Sequence, residues 1–467
     1  MEEKTNVSKE LKEKLFLQRK NGYTRIDETE EKAIFEFAED YKKFLDIAKT
    51  EREAVCEATK LLEANGFVEY KADMKLSAGD KIYRNNRGKA IIAAVIGTAP
   101  ISEGVRLCAA HIDSPRLDLK QNPLYEDNEL ALFKTHYYGG IKKYQWTTIP
   151  LSLHGVIIKA DGTSVTVNIG EDENDPVFCV TDLLPHLATE QMTRTATKII
   201  RGEDLNLLIG SIPFRDDEAS EAVKLNIMNI LFEKYGITEA DFISSELEAV
   251  PAFKARDIGF DRSLVGGYGH DDRCCAYPAL RAAIGCESPV HTTVTILADK
   301  EETGSDGNTG LCSSYLRYFI EDIAEALGAK GRDVLSASEC LSADVNAAFD
   351  PTFPEVNERN NAAYVNKGVC ITKYTGSRGK SGTSDASAEF AGRIRRLMND
   401  KNVIWQTGEL GKVDAGGGGT VAAYIANLDV DTIDMGVPVL SMHAPYEVIS
   451  KLDLYMAYKA FAAFIAD

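Results

Sequence analysis

Two adjacent carboxylates, Glu301 and Glu302, follow directly on an apolar, β-rich run (Val294-Thr295-Ile296-Leu297) within the stretch ILADKEETGSDGNTG, residues 296–310. Successive side chains of an extended segment face opposite ways, but in a turn neighbouring side chains can flank one small volume. Thr303-Gly304-Ser305 supplies such a turn, so one carboxylate can hold a metal ion while the other moves protons. Taken alone, a Glu-Glu pair in a surface loop is solvated charge. What the rest of the chain offers decides between the two.

The apolar run VRLCAA (105–110) ends in His111-Ile112-Asp113-Ser114-Pro115-Arg116. A histidine at the carboxyl end of a buried strand stands where open α/β sheets place ligands. Asp113, two residues on, can accept the second imidazole N–H and so strengthen the ring as a metal ligand. In GGYGHDDRCCAYPALRAAI (266–284), Asp271 and Asp272 lie just ahead of a helix expected from Cys274. An aspartate there bridges two cations or simply caps the helix. A strand expected from Val334 to Leu341 delivers Asp344, and another, 433–442, stops at His443. His111, Glu301-Glu302, Asp344 and His443 thus each lie at the downstream end of an apolar run, and in a mostly parallel sheet such ends converge on one edge. Two histidines and three carboxylates suit a pair of zinc or similar divalent ions sharing an aspartate, with one carboxylate left as general base.

The elements that must position these residues read as α/β. Residues 1–49 are helical and amphipathic, with Ile34, Phe37, Tyr41, Phe44 and Leu45 at three-to-four spacing. Thr50 and Glu53 form a capping-box pattern opening a second helix that stops at Asn65-Gly66. The runs 90–97 and 105–110 are too apolar for half-exposed strands and belong in a sheet covered on both faces. Helices are expected at 312–328, 420–427 and 451–465. Between 118 and 256 the texture turns β-rich, with runs at 152–170 and 205–212, and no catalytic cluster of its own. The glycine-rich VDAGGGGT (413–420) lacks the Lys-Ser/Thr ending of a phosphate-binding loop and is read as a turn or a close backbone approach.

With 467 residues the chain can bury a large core. Its 53 basic and 72 acidic side chains give a net charge of −19, and it has no polybasic run, which argues against nucleic acid and anionic membrane as partners. No stretch approaches the ~18 apolar residues of a membrane span and the start lacks an apolar leader, so a cytoplasmic protein is expected. Nine scattered cysteines without a C-x-x-C pair suit reduced, mostly buried thiols.

The motifs AAHIDSPR (109–116), GHDDR (269–273), DKEETGS (299–305), LSADVNAAFDP (341–351) and SMHAPYEV (441–448) occur in the order and wording of the aspartyl aminopeptidases. The sequence resembles this family of metallo-aminopeptidases, within the clan of di-zinc exopeptidases. The resemblance implies a mostly parallel or mixed sheet flanked by helices, formed by residues 1–117 and 257–467. Residues 118–256 would be an inserted β-rich dimerisation domain. It implies two divalent ions per chain, zinc first and cobalt or manganese as substitutes. Their ligands would be His111, Asp271 as the bridge, Glu302, Asp344 and His443, with Asp272 the rival to Asp271. Glu301 would be the general base and Asp113 the partner of His111. The implied substrates are short peptides with a free N-terminus, and the implied assembly is a homo-oligomer of dimers building a dodecamer.

The sequence departs from the family in two places near the substrate pocket. Asn346-Ala347-Ala348 stands where a histidine is expected, and Glu190 stands four residues after His186 where a second histidine is expected. Neutral and basic N-terminal residues are therefore open beside acidic ones, with Lys373 a candidate partner for an acidic side chain. A deacylase of the same clan and a self-assembling shell with structural metals are the alternatives.

Overall fold

The computed structural model describes residues 2–216 and 218–467. Nine strands form a central mixed sheet. In spatial order they are Val68–Glu69, Lys81–Asn86, Ala90–Val95, Thr293–Ala298, Arg106–His111, Glu339–Ser342, Asp431–Gly436, Val369–Thr372 and Trp405–Thr407. The four strands from Thr293–Ala298 to Asp431–Gly436 run parallel, so their carboxyl ends share one edge. Pairing of Ala298 with His111 and of Ser342 with Ala109 sets that edge's register.

Alternate residues along these strands enter different cores, as expected for strands covered on both faces. Ile91, Ala93, Cys108 and Ala110 pack with the helices Glu28–Ile47, Glu51–Ala64, His270–Gly285, Ala388–Asp400 and Lys451–Ile465. Ile92, Ala94, Leu107 and Ala109 pack on the other side with Tyr315–Ala326 and Gly331–Ser336. Thr50 caps the Glu51–Ala64 helix with the reciprocal Glu53 bond the sequence predicts, and Asn65 ends it. Burying Phe461 and Phe464 of the last helix stabilises this face by about 2 kcal/mol each.

A second sheet of seven antiparallel strands draws all of them from residues 116–251 and has its own core around Trp146, Phe242 and Leu247. The expected runs appear there as the hairpin Leu151–Ile158 and Ser164–Ile169 and the strand Leu207–Gly210. A third sheet of five short strands contains Leu264–Gly267, which leads into Asp271, and Pro438–Leu440 and Glu447–Ser450, which flank His443.

Two expectations need correction. Val334 and Leu335 lie in the short helix Gly331–Ser336, and the strand begins only at Glu339. The run 433–442 is two strands in different sheets, Asp431–Gly436 and Pro438–Leu440. Pro438 has no N–H to continue a ladder. Gly436 passes so close to Asp344 that an added Cβ would meet its carbonyl oxygen at 1.7 Å. Among the described residues no helix is long and apolar enough to cross a membrane, and all nine cysteines are free thiols.

Candidate metal centre

The five segments singled out by sequence meet at the carboxyl edge of the central sheet. His111 ends its strand there, and Asp344 follows Ser342 by two residues. After Ala298 the chain turns through Lys300, in the left-handed region, into a single turn, Glu301–Thr303. Asp271 and Asp272 interrupt the start of their helix with non-helical dihedrals and are joined by a cis peptide. His443 arrives from the third sheet, in the turn between Pro438–Leu440 and Glu447–Ser450, rather than from the end of a central strand.

Asp271 lies between the histidines: Oδ1 is 3.1 Å from His111 Nε2 and Oδ2 is 3.3 Å from His443 Nε2. Asp344 Oδ1 and Glu301 Oε2 each approach His111 Nε2 to 3.9 Å, and Glu302 Oε2 is 3.5 Å from His443 Nε2. Ligand atoms of His111, Asp271 and Asp344 lie within 4.8 Å of one another, as do those of Asp271, Glu302 and His443. His111, Glu301 and Glu302 form a third such group. Asp272 takes a different direction: its Oδ2 accepts the His111 backbone N–H at 3.2 Å, and its side chain lies beside Cys275.

Both imidazoles are held from behind. His111 Nδ1 is 3.1 Å from the Asp113 carbonyl and 3.3 Å from Asp113 Oδ1, while His443 Nδ1 donates to the Gly140 carbonyl at 2.8 Å. Such bonds leave Nε2 free as an acceptor toward a cation. Asp113 also accepts the backbone N–H groups of Glu301 and Glu302, at 3.1 and 3.2 Å, fixing the turn that carries them.

Burial pushes the Glu301 carboxyl up to about 7, with Asp271 and Asp113 adding repulsion. Glu302 and Asp344 are raised well above their ordinary values, by burial first, then by repulsion from Asp271 on Glu302 and from Glu301 on Asp344. Burial disfavours charge on His443, but Asp271 and Glu302 outweigh it and raise the ring to about 10. Among the described residues, these four carboxylates have only the two imidazoles as ion-pair partners. Glu302 Oε1 and Asp344 Oδ2 are buried without any hydrogen-bond partner. A buried, negatively charged cluster of oxygen and nitrogen donors with orphaned carboxylate oxygens fits divalent cations of the zinc type.

The family model described as aminopeptidase I zinc metalloprotease (M18) matches residues 44–465. The chain belongs to the M18 zinc metallo-aminopeptidases. It is a peptide hydrolase, 52% identical over 454 residues to a Clostridium acetobutylicum protein described as "Probable M18 family aminopeptidase 1", covering 96% of this chain and 98% of that one. The crystal structure of an M18 aminopeptidase from Thermotoga maritima superimposes with a TM-score of 0.92 at 46% identity, covering 96% of this chain and 99% of the other. The mApe1 dodecamer of S. cerevisiae shares the fold, with a TM-score of 0.74 at 20% identity over 92% of this chain and 96% of that one.

Two further residues of this M18 enzyme touch the centre without having stood out in the sequence. Glu447 accepts the backbone N–H of Asp271 at 3.1 Å and of His443 at 2.7 Å, clamping two segments to one carboxylate. Tyr138 donates its phenolic O–H to Asp113 Oδ2 at 2.8 Å. Burial, reinforced by the Asp113 charge, raises its phenol far above the usual value, so it stays a donor. Lys373 forms an ion pair with Asp385 at 2.6 Å, and Lys380 pairs with the other oxygen of that carboxylate at 2.7 Å.

Proposed function

We propose that this aminopeptidase releases single residues from the N-termini of short peptides at a centre for two divalent cations, zinc in the first instance. His111, Asp344 and one oxygen of Asp271 would hold one cation; His443, Glu302 and the other oxygen of Asp271 would hold its partner. The observation that carries this is the Asp271 carboxylate, with one oxygen on each histidine and membership of both ligand groups. When bound, the two cations would acidify a water and polarise the scissile carbonyl.

Glu301 would act as general base. Its carboxyl is buried and free of lysine or arginine partners among the described residues, and the Asp113 bonds hold it on the turn facing His111. It would accept a proton from the attacking water and pass it to the leaving amine, and the collapsing tetrahedral carbon would then expel that amine. Asp113 would keep His111 in one tautomer.

We take residues 1–117 and 257–467 as the catalytic part and 118–256 as the part used for assembly into dimers and, as in the yeast relative, a dodecamer. The separate sheet and core of the insert support this division. Asn346-Ala347-Ala348 and Glu190, standing where histidines are expected, favour neutral N-terminal residues over acidic ones.

The deciding experiment is turnover of Asp, Glu, Leu, Lys and Ala amides by chelator-stripped protein and after zinc, cobalt or manganese is added. Metal-dependent release is expected, strongest for a neutral residue. Tight binding of two metals per chain with no cleavage of any free-amine substrate, but cleavage of acetylated ones, would make it a deacylase instead.

A further inference from the structure

The inserted sheet reaches into the carboxylate cluster. Its strand Leu130–Tyr138 ends at the centre, and Tyr138, Gly139 and Gly140 each meet a different component there. Tyr138 bonds Asp113, the Gly140 carbonyl holds His443 Nδ1, and Gly139 lies against Glu302. A Cβ on Gly139 would stand 3.1 Å from Glu302 Oε2, and its φ of +75° is one that side-chain-bearing residues rarely adopt.

Tyr138 is itself fixed from its other side. The Arg116 guanidinium stacks on its ring at 3.9 Å and is anchored by Glu51, Asp118 and Glu248 at 2.8–3.3 Å. Asp113 is the junction this clamp acts on. Its Oδ1 faces His111 Nδ1 and the Glu301 N–H; its Oδ2 takes the Tyr138 O–H and the Glu302 N–H. Each carboxylate oxygen is thus shared between two partners, and losing the phenolic donor leaves Oδ2 on the Glu302 N–H alone, so the carboxylate can rotate and shift Oδ1 against the imidazole and the Glu301 N–H.

We propose that Tyr138 is a positioning residue for peptide hydrolysis, acting through Asp113 on His111 and on the Glu301-Glu302 turn. The Tyr138–Gly140 segment thereby makes the insert part of the metal centre as well as of the assembly. The proposal rests on the two-cation reading above.

The test is Tyr138→Phe in the full-length chain, with zinc affinity measured by competition against a chromogenic chelator and kcat and KM measured on an aminoacyl amide. Zinc binding weaker by about tenfold and a kcat lower by about tenfold, with KM nearly unchanged, are expected at an unaltered melting temperature. Tyr137→Phe, at an exposed neighbour outside the clamp, should change neither. Gly139→Ala leaves the phenol in place but crowds Glu302, and should also weaken zinc, which tests the segment's approach to the centre; if Tyr138→Phe melts early, zinc affinity and kcat are measured on it well below its melting temperature. Wild-type zinc affinity and kcat in Tyr138→Phe overturn the positioning role, whatever Gly139→Ala does. Wild-type protein that binds no zinc at all overturns the two-cation reading first, and the positioning role with it.

Discussion

At the scale of single residues, the distinction that matters is between carboxylates grouped with Asp271 and the one left outside those groups. Asp271 touches both imidazoles, and Asp344 and Glu302 each share a group of ligand atoms with it, whereas Glu301 is grouped only with His111 and Glu302. Glu301→Gln keeps the volume and removes the proposed base. It is expected to leave zinc content at the wild-type level while cutting kcat by roughly 10²–10⁴-fold; metal analysis beside steady-state kinetics checks both, and loss of zinc would make Glu301 a ligand. The residues that the sequence marked are those whose backbone setting is itself a signal: a histidine or acid at the end of an apolar run. Tyr138 and Glu447 carry no such mark. Tyr138 meets Asp113 across 25 residues and Glu447 joins its near neighbour His443 to Asp271, 176 residues away, and nothing about a tyrosine or glutamate in an extended segment announces a contact made across the fold. Likewise the rivalry of Asp271 and Asp272 was open in one dimension, because only the bend between them decides which carboxylate faces the histidines.

At the scale of elements, periodicity served where one face or two were buried and failed where two elements abut. Val334-Leu335 is an apolar pair that a strand and a one-turn helix accommodate equally, and Asp431–Leu440 reads as continuous because its break is a matter of which sheet each half joins. A contact between elements also gives a pH prediction. His154, on the strand Leu151–Ile158, bridges Glu53 of the Glu51–Ala64 helix at 2.7 Å and Glu171 at 3.1 Å, and Lys49 joins Glu171 at 2.7 Å. Burial disfavours the imidazolium, but Glu171 and Glu53 outweigh it and raise the pKa. A raised histidine contributes stability that is fully present below its unfolded value of ~6.5 and lost as pH rises through the folded value. His154→Gln should therefore lower the melting temperature most at pH 5.5–6, with the gap to wild type closing in alkaline buffer. A gap that is constant with pH would mean the ring acts by packing alone.

At the scale of the whole molecule, the insert leaves large apolar side chains in water. Leu225, Ile230 and Phe232 are exposed on the helix Ala222–Tyr235, with Ile212 and Phe214 on the segment leading to it. Exposed apolar groups of this kind mark association surfaces, and a net charge of −19 per chain means that association must work against repulsion. Light scattering at physiological salt should give a mass of many chains, shrinking at low ionic strength, where the repulsion is least screened. The mass of one chain at all salt concentrations would rule the assembly out.

Asp271 lies 160 residues beyond its first histidine, and His443 comes from far later in the chain than either. A ribosome-bound chain therefore displays His111 and Asp113 long before the last imidazole has been made, and in that interval it has no complete centre. On the proposed ligand set this hydrolase is born inert: it would not trim neighbouring nascent peptides, or itself, until the turn that carries His443 has emerged and docked.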